Sequence, residues 1–228
     1  MHFTGHASSS RGNLYLVESG STRLLLEAGL PIKTIRRRLG WTLSGVAGSL
    51  VTHEHMDHAR GAADLLRAGV DVWCSAGTAQ ALGLEGHRLH LLRSAEQCII
   101  GELSVLPFAT EHDAAEPLGF LLQDGTDSLM FATDTGYLRW RFEGLTLIAI
   151  ECNFAGDLLP ADMPEGQRAR LEATHLSLAS VKAMLAATDL SRVREIHLLH
   201  LSSGHADAER FRSEIEAQTG IPTWVEAE

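Results

Sequence analysis

The run LTLIAIEC, residues 145–152, carries apolar side chains at nearly every position over the length of one strand. A strand exposed on one face would alternate apolar with polar. This run therefore predicts a strand buried on both faces, in a sheet covered on both sides. Other short apolar runs recur along the chain, and helix signatures separate many of them. NLYLVES and STRLLLEAG read as a hairpin turning at GS, and PLGFLLQDG with SLMFATD as a second around DGTD. GSLVTH, VDVWCS, RLHLL, CIIG, ELSVLPFAT, VREIHLLHLS and PTWVE read as further strands, with Pro107 placing its strand at an edge or bulge. Helices are predicted at PIKTIRRRLG, HARGAADLLRAG, GTAQALGL, SLASVKAMLAATD (Ser177 as cap) and DAERFRSEIEAQTG, where Phe211 and Ile215 stand four apart. Strands outnumber helices, and both recur in each half. That order fits a β-sandwich flanked by helices, αββα, better than one parallel sheet. No linker or repeat interrupts it, so residues 1–228 are read as a single α/β domain.

Composition narrows the class. The 228 residues, 45% of them hydrophobic, suffice for a sizeable core. The formal charge of −10 disfavours a broad nucleic-acid-binding face, but bound cations could still meet a phosphodiester locally. Cys74, Cys98 and Cys152 form no CxxC pair and read as small core residues in a reducing compartment. No run is long enough to span a bilayer, and MHFTGHASSSRG lacks a signal-peptide core. The expectation is a cytoplasmic protein with no membrane partner.

Histidines carry the chemistry. In VTHEHMDHARG the residues His53, His55, Asp57 and His58 make an H-x-H-x-D-H pattern directly after an apolar run. On a loop leaving a strand, His53 and His55 can face one ion, and Asp57 with His58 a second. Imidazole plus carboxylate suits zinc, manganese or iron without any thiolate. Three later candidates also end apolar strands: His112, Asp134 and His200. The arithmetic then closes with His53, His55 and His112 on one ion, Asp57, His58 and His200 on the other, and Asp134 between them. Two cations roughly 3.5–4 Å apart would turn a bridging water into hydroxide near neutral pH. Glu54 and Met56 would point away. His197 reads as packed and His205 as a rim residue, and His2, His6, His87 and His90 join no cluster.

These residues resemble the metallo-β-lactamase superfamily of metallohydrolases, whose fold is the four-layer αββα sandwich. Within it the chain resembles the YycJ- or WalJ-like group, regarded as nuclease-like phosphodiesterases. The features carrying that likeness are SSSRGN (Ser8 to Asn13), HDAAEPLGF (His112 to Phe120), TDTG (Thr133 to Gly136), the E-x-N turn Glu151 to Asn153, and two HLS triplets at His175 and His200. The resemblance implies a non-ligand role for His175, leaning toward the scissile phosphate to stabilise charge or protonate the leaving oxygen. It also implies catalysis through Asp57 while that residue remains a ligand, and dimers are frequent in the superfamily. Asp113 and Asn13 could orient ligands or touch substrate, and Asn153 is a further candidate for contacts to substrate.

Two positions depart from the pattern: Glu27 where the superfamily has aspartate, and Phe154 where the group often has histidine. The resulting expectation is a hydrolase holding two divalent ions, Zn2+ first and Mn2+ or Fe2+ as alternatives. Its substrate would be DNA, RNA or a small phosphodiester, attacked by a metal-bridging hydroxide. Hydrolysis of a carbon ester, thioester or lactone is the competing reading. A metal-binding scaffold is disfavoured, because every ligand position is filled.

Overall fold

A computed structural model describes residues 1–226. The first sheet holds, in spatial order, β1 (His2–Ala7), β2 (Leu14–Ser19), β3 (Thr22–Leu26), β4 (Val46–Leu50), β5 (Val72–Ser75) and β6 (Leu89–Leu92). The second runs from β7 (Cys98–Ile100) through β8 (Leu103–Ala109), β9 (Leu118–Gln123), β10 (Ser128–Ala132), β11 (Leu147–Glu151) and β12 (Glu195–Leu199) to β13 (Thr223–Val225). Each sheet starts as an antiparallel meander and ends in parallel strands, β3 to β6 and β10 to β13. Helices α1 (Ile32–Arg38), α2 (Met56–Ala59), α3 (Ala62–Arg67), α4 (Ala76–Leu82), α5 (Glu165–Thr174), α6 (Leu178–Ala186) and α7 (Ala208–Thr219) complete the fold.

Period-2 alternation builds the layers. In β11, Leu147 and Ala149 face the other sheet, while Ile148 and Ile150 pack with Leu178, Val181, Leu185, Phe211 and Ile215 of α6 and α7. In β2, Tyr15 and Val17 enter the inter-sheet core, while Leu14 and Leu16 join Ile35, Leu65 and Ala79 under α1, α3 and α4. Three apolar seams therefore separate four layers, the αββα order expected from the sequence. Every residue of β11 is buried, as its apolar run requires.

The elements read from sequence are present, with two differences. The segment predicted as one helix after His58 breaks at Gly61 into α2 and α3. A β-carbon at Gly61 would lie 2.5 Å from the Leu30 carbonyl oxygen, so the break lets two loops close on each other. Helix α5 was not expected. Its sequence EGQRARLEAT has no apolar stripe, and only Thr174 is buried. Pro107 stands in β8 beyond the reach of the short β7, whose pairing stops at Val105, so no partner on that side lacks its amide.

At the inter-sheet centre, Phe131 of β10 meets Tyr15 edge-on with ring centroids 5.4 Å apart. Phe3 stacks on the same tyrosine at 5.6 Å. Phe131 is fully buried, so Phe131→Ala should lower stability by about 3–5 kcal/mol. Urea unfolding checks this, and a loss below about 1 kcal/mol would mean the sheets do not depend on this contact.

Candidate metal centre

Chain direction gathers the site. Strands β4, β8, β10, β11 and β12 all end at one edge of the sandwich, and the residues following or closing them are His53, His112, Asp134, Glu151 and His200. Carboxyl ends of parallel strands are where open α/β sheets place ligands. The turns are sharp: Glu27, Asp134 and His200 adopt φ of 68°, 40° and 52°. Such left-handed backbone is disfavoured for side chains with a β-carbon, and it re-aims each residue inward from its strand end. Gly29 serves close approach, since a β-carbon there would lie 1.7 Å from the Asp57 carbonyl oxygen.

All seven residues proposed from sequence as ligands converge. His55 Nδ1 lies 3.1 Å from His53 Nε2 and 3.2 Å from His112 Nε2. Asp57 Oδ2 lies 3.3 Å from His58 Nε2 and 3.2 Å from His200 Nε2. Asp134 sits between the groups. Its Oδ2 is 3.4 Å from His58 Nε2 and 3.6 Å from His112 Nε2, and its Oδ1 is 3.3 Å from His200 Nδ1.

The donor set fits cations. Thr52 Oγ1 has one proton and gives it to Glu27 Oε1 at 2.6 Å, so His53 Nδ1, 2.9 Å from the same oxygen, must donate. His112 Nδ1 likewise must donate to the Thr174 carbonyl at 2.9 Å. Both Nε2 atoms are then lone pairs facing the centre, and His55 Nδ1 can satisfy only one of them. Burial and the neighbouring cationic histidine His58 hold His53 well below its usual pKa; burial does the same for His112, so neither relieves the conflict by protonation. A cation resolves both lone pairs at once, and the backing hydrogen bonds fix tautomer and ring orientation.

The second group is balanced differently. Burial disfavours charge on His200, but Asp134, Asp57 and Glu151 outweigh it and raise its pKa to about 10. His58 is pulled up in the same way, against burial, by Asp134 and Glu27. His58 Nδ1 is 3.2 Å from Glu27 Oε1 but out of line for a hydrogen bond. Glu27, the departure noted in the sequence, thus still stands behind the metal loop, fully buried.

Asn13 and Asn153 face the protein. Asn13 is fully buried, its Nδ2 donating to Asp57 O and Ser9 O and its Oδ1 accepting from Tyr15. A relay completes this: His200 N donates to Ser8 Oγ at 2.8 Å, and Ser8 lies 2.7 Å from the Tyr15 hydroxyl. Asn153 Nδ2 donates to His200 O at 2.9 Å. Both amides thus hold ligand loops, which is one of the two roles read for Asn13 in the sequence.

His175 lies beside the ligands, with Nδ1 2.6 Å from Glu151 Oε1. Glu151 is fully buried, and its Oε2 accepts from Leu176 N and Thr135 N. Asp134, Glu151, His175 and His200 also lie close enough together to hold an ion, while the bonds from His175, Leu176 N and Thr135 N orient the carboxylate. Burial opposes charge on His175, yet Glu151 raises its pKa. Sequence reasoning quoted Glu151 in a motif and gave it no role; a carboxylate closing a run buried on both faces was the available signal. His197 packs on Phe3 and meets Glu226, away from the centre, and Glu54 turns outward to accept from Ala115 N.

In the metal-free protein the raised pKa of His200 has a definite sign. Its stabilisation is complete below the unfolded value near 6.5 and is lost as pH rises through about 10. The urea midpoint of chelator-treated protein should therefore fall across that window. A midpoint that rises there would contradict the assigned protonation.

A family model described as the β-lactamase superfamily domain matches residues 22–201. The chain is similar to exodeoxyribonuclease YycJ of Bacillus anthracis, 28% identical over 218 residues, with 89% of this chain and 83% of that protein covered. It is equally similar to exodeoxyribonuclease WalJ of Streptococcus pneumoniae, 28% identical over 214 residues, with 86% and 80% covered. The crystal structure of the metallo-β-lactamase fold protein YhfI from Bacillus subtilis superposes with a TM-score of 0.74 at 16% identity, covering 98% of this chain and 95% of that one. No helix among the described residues is long and apolar enough to cross a membrane. With four layers, a histidine–aspartate centre at the strand ends and a family match over most of its length, the chain belongs to the β-lactamase superfamily domain family and is a hydrolase of the metallo-β-lactamase fold.

Proposed function

We propose that this hydrolase is a dinuclear phosphodiesterase that acts on DNA as an exonuclease, with zinc the first candidate metal and manganese or iron the alternatives. The observation that supports the reading most is the His175–Glu151 pair, a protonatable imidazole held at 2.6 Å beside the histidines and aspartates proposed as ligands. Relatives named exodeoxyribonucleases support DNA as the substrate class.

In this reading one ion is held by His53, His55 and His112, the other by Asp57, His58 and His200, with Asp134 shared. Ions bound there would supply Lewis acidity and a water ionised near neutral pH. The chain's own groups do the rest. Glu151 fixes His175 through Nδ1, which leaves Nε2 to meet the phosphate or give a proton to the leaving oxygen. Against the effect of burial, Glu151 raises the pKa of His175, which favours the protonated ring. Asp57, half-buried at the mouth, takes the proton of the attacking water at its carboxylate. Asn13 and Asn153 orient the loops. Arg139 and Arg170 pair with Glu111 and Asp113 on either side of His112, so an incoming phosphate backbone has guanidinium groups to attract it in an otherwise acidic protein.

The test is hydrolysis of end-labelled single-stranded DNA by zinc- or manganese-loaded protein, beside RNA, a thioester and a lactone. DNA shortening from its ends is expected. His175→Ala should keep its metal content and lose roughly 10²- to 10⁴-fold in kcat, whereas His53→Ala and Asp57→Ala should lose metal and activity together. Turnover of carbon esters alone would overturn the phosphodiesterase reading, turnover of RNA alone would overturn DNA as substrate, and metal loss in His175→Ala would overturn its non-ligand role.

A further inference from the structure

A cavity of about 250 Å³ is lined in part by Leu176, the residue after His175. One wall begins two residues after Asp134, as Gly136, Tyr137 and Leu138; the other is Leu176 with Met184 on α6. Its faces are apolar: Leu138 and Leu176 belong to the core packed under α6, and Met184 packs against it half-buried. Gly136 lets this segment pack against the end of α5, since a β-carbon there would come within 1.9 Å of the Ala173 carbonyl oxygen. Two features point to a flat, polar-edged ligand. Tyr137 is 58% exposed at the rim. Arg141 also lines the cavity and, among the described residues, has no carboxylate partner; it donates only to the carbonyls of Leu138 and Trp140.

We infer that this cavity is a nucleobase subsite, seating the base of the nucleotide next to the scissile phosphate. The base stacks on Tyr137 against the Leu138, Leu176 and Met184 surface, and Arg141 donates to base-edge oxygen or nitrogen acceptors. Stacking on an aromatic ring tolerates any base, so the subsite gives affinity and placement with little sequence preference. Adjacency supports the assignment. Residues that follow Asp134 and His175 in the chain form the walls, so a nucleotide whose phosphate meets His175 has its base within reach of the cavity. The inference rests on the phosphodiesterase reading.

The test compares single-stranded DNA carrying either a normal or an abasic nucleotide at the cleaved end. The metal-loaded wild type should prefer the normal end about tenfold in kcat/KM. That ratio should collapse toward one in Tyr137→Ala, and in Ala183→Trp, which fills the cavity from an exposed position on α6. Equilibrium binding of the same oligonucleotides to the metal-free proteins provides a second ratio that needs no turnover. A wild-type ratio of one, or an unchanged ratio in both variants, overturns the subsite. If the wild type cleaves neither oligonucleotide, the phosphodiesterase reading fails, and the binding ratios alone decide the subsite.

Discussion

The constraint on which this structure turns is the collision of lone pairs at the open end of the sandwich. His53 and His112 are locked from behind as acceptors, and His55 cannot satisfy both. Asp57 and Asp134 bring negative charge to the same few ångströms, with Glu151 and Glu27 close behind. A water-exposed cluster of this kind would relax apart. Here buried strand ends hold it, so the conflict has to be met by positive charge: protons on His58 and His200 without metal, cations with it.

That requirement explains why both sheets are needed. The first supplies the loop from His53 to His58, and the second supplies His112, Asp134, Glu151 and His200. Each proposed triad takes residues from both halves. The seam is fastened twice. In the core, Tyr15 packs on Phe131; at the rim, the hydroxyl of that same tyrosine joins the relay from His200 through Ser8 to Asn13 and the Asp57 loop. Tyr15 therefore couples sheet packing to ligand placement, so small shifts between the sheets are transmitted to the distance between ligand groups. Left-handed backbone at Glu27, Asp134 and His200 is tolerated because these contacts over-determine each turn.

Much of this was legible in the sequence because the signals were local. The H-x-H-x-D-H loop and the apolar runs ending at His112, Asp134 and His200 needed only the knowledge that strands deliver residues to a common edge. Period-2 and continuous apolar patterns placed the strands. What escaped depended on partners far along the chain. Helix α5 has no apolar stripe and is recognisable only by where it lies. For Asn13 the sequence left open whether it orients ligands or touches substrate, and for Asn153 it suggested substrate; both amides meet carbonyls 44 and 47 residues away. Glu151 closes a strand with no charged neighbour in sequence, and its role appears only when His175, 24 residues on, folds back onto it.

The two carboxylates nearest His175 show how similar groups are given different work. Asp134 accepts from its neighbour Thr133 at one oxygen, while Oδ2 faces only imidazole nitrogens at 3.4 to 4.0 Å. It is therefore free to share itself between ions. Glu151 stands one strand away with Oε2 bound by two backbone N–H groups and Oε1 bound by His175. Backbone donors that cannot rotate away keep Glu151 ionised and oriented, which makes it a support for His175. Leu176 N and Thr135 N come from segments after α5 and β10 and meet on one oxygen, so the other oxygen is left to hold the imidazole.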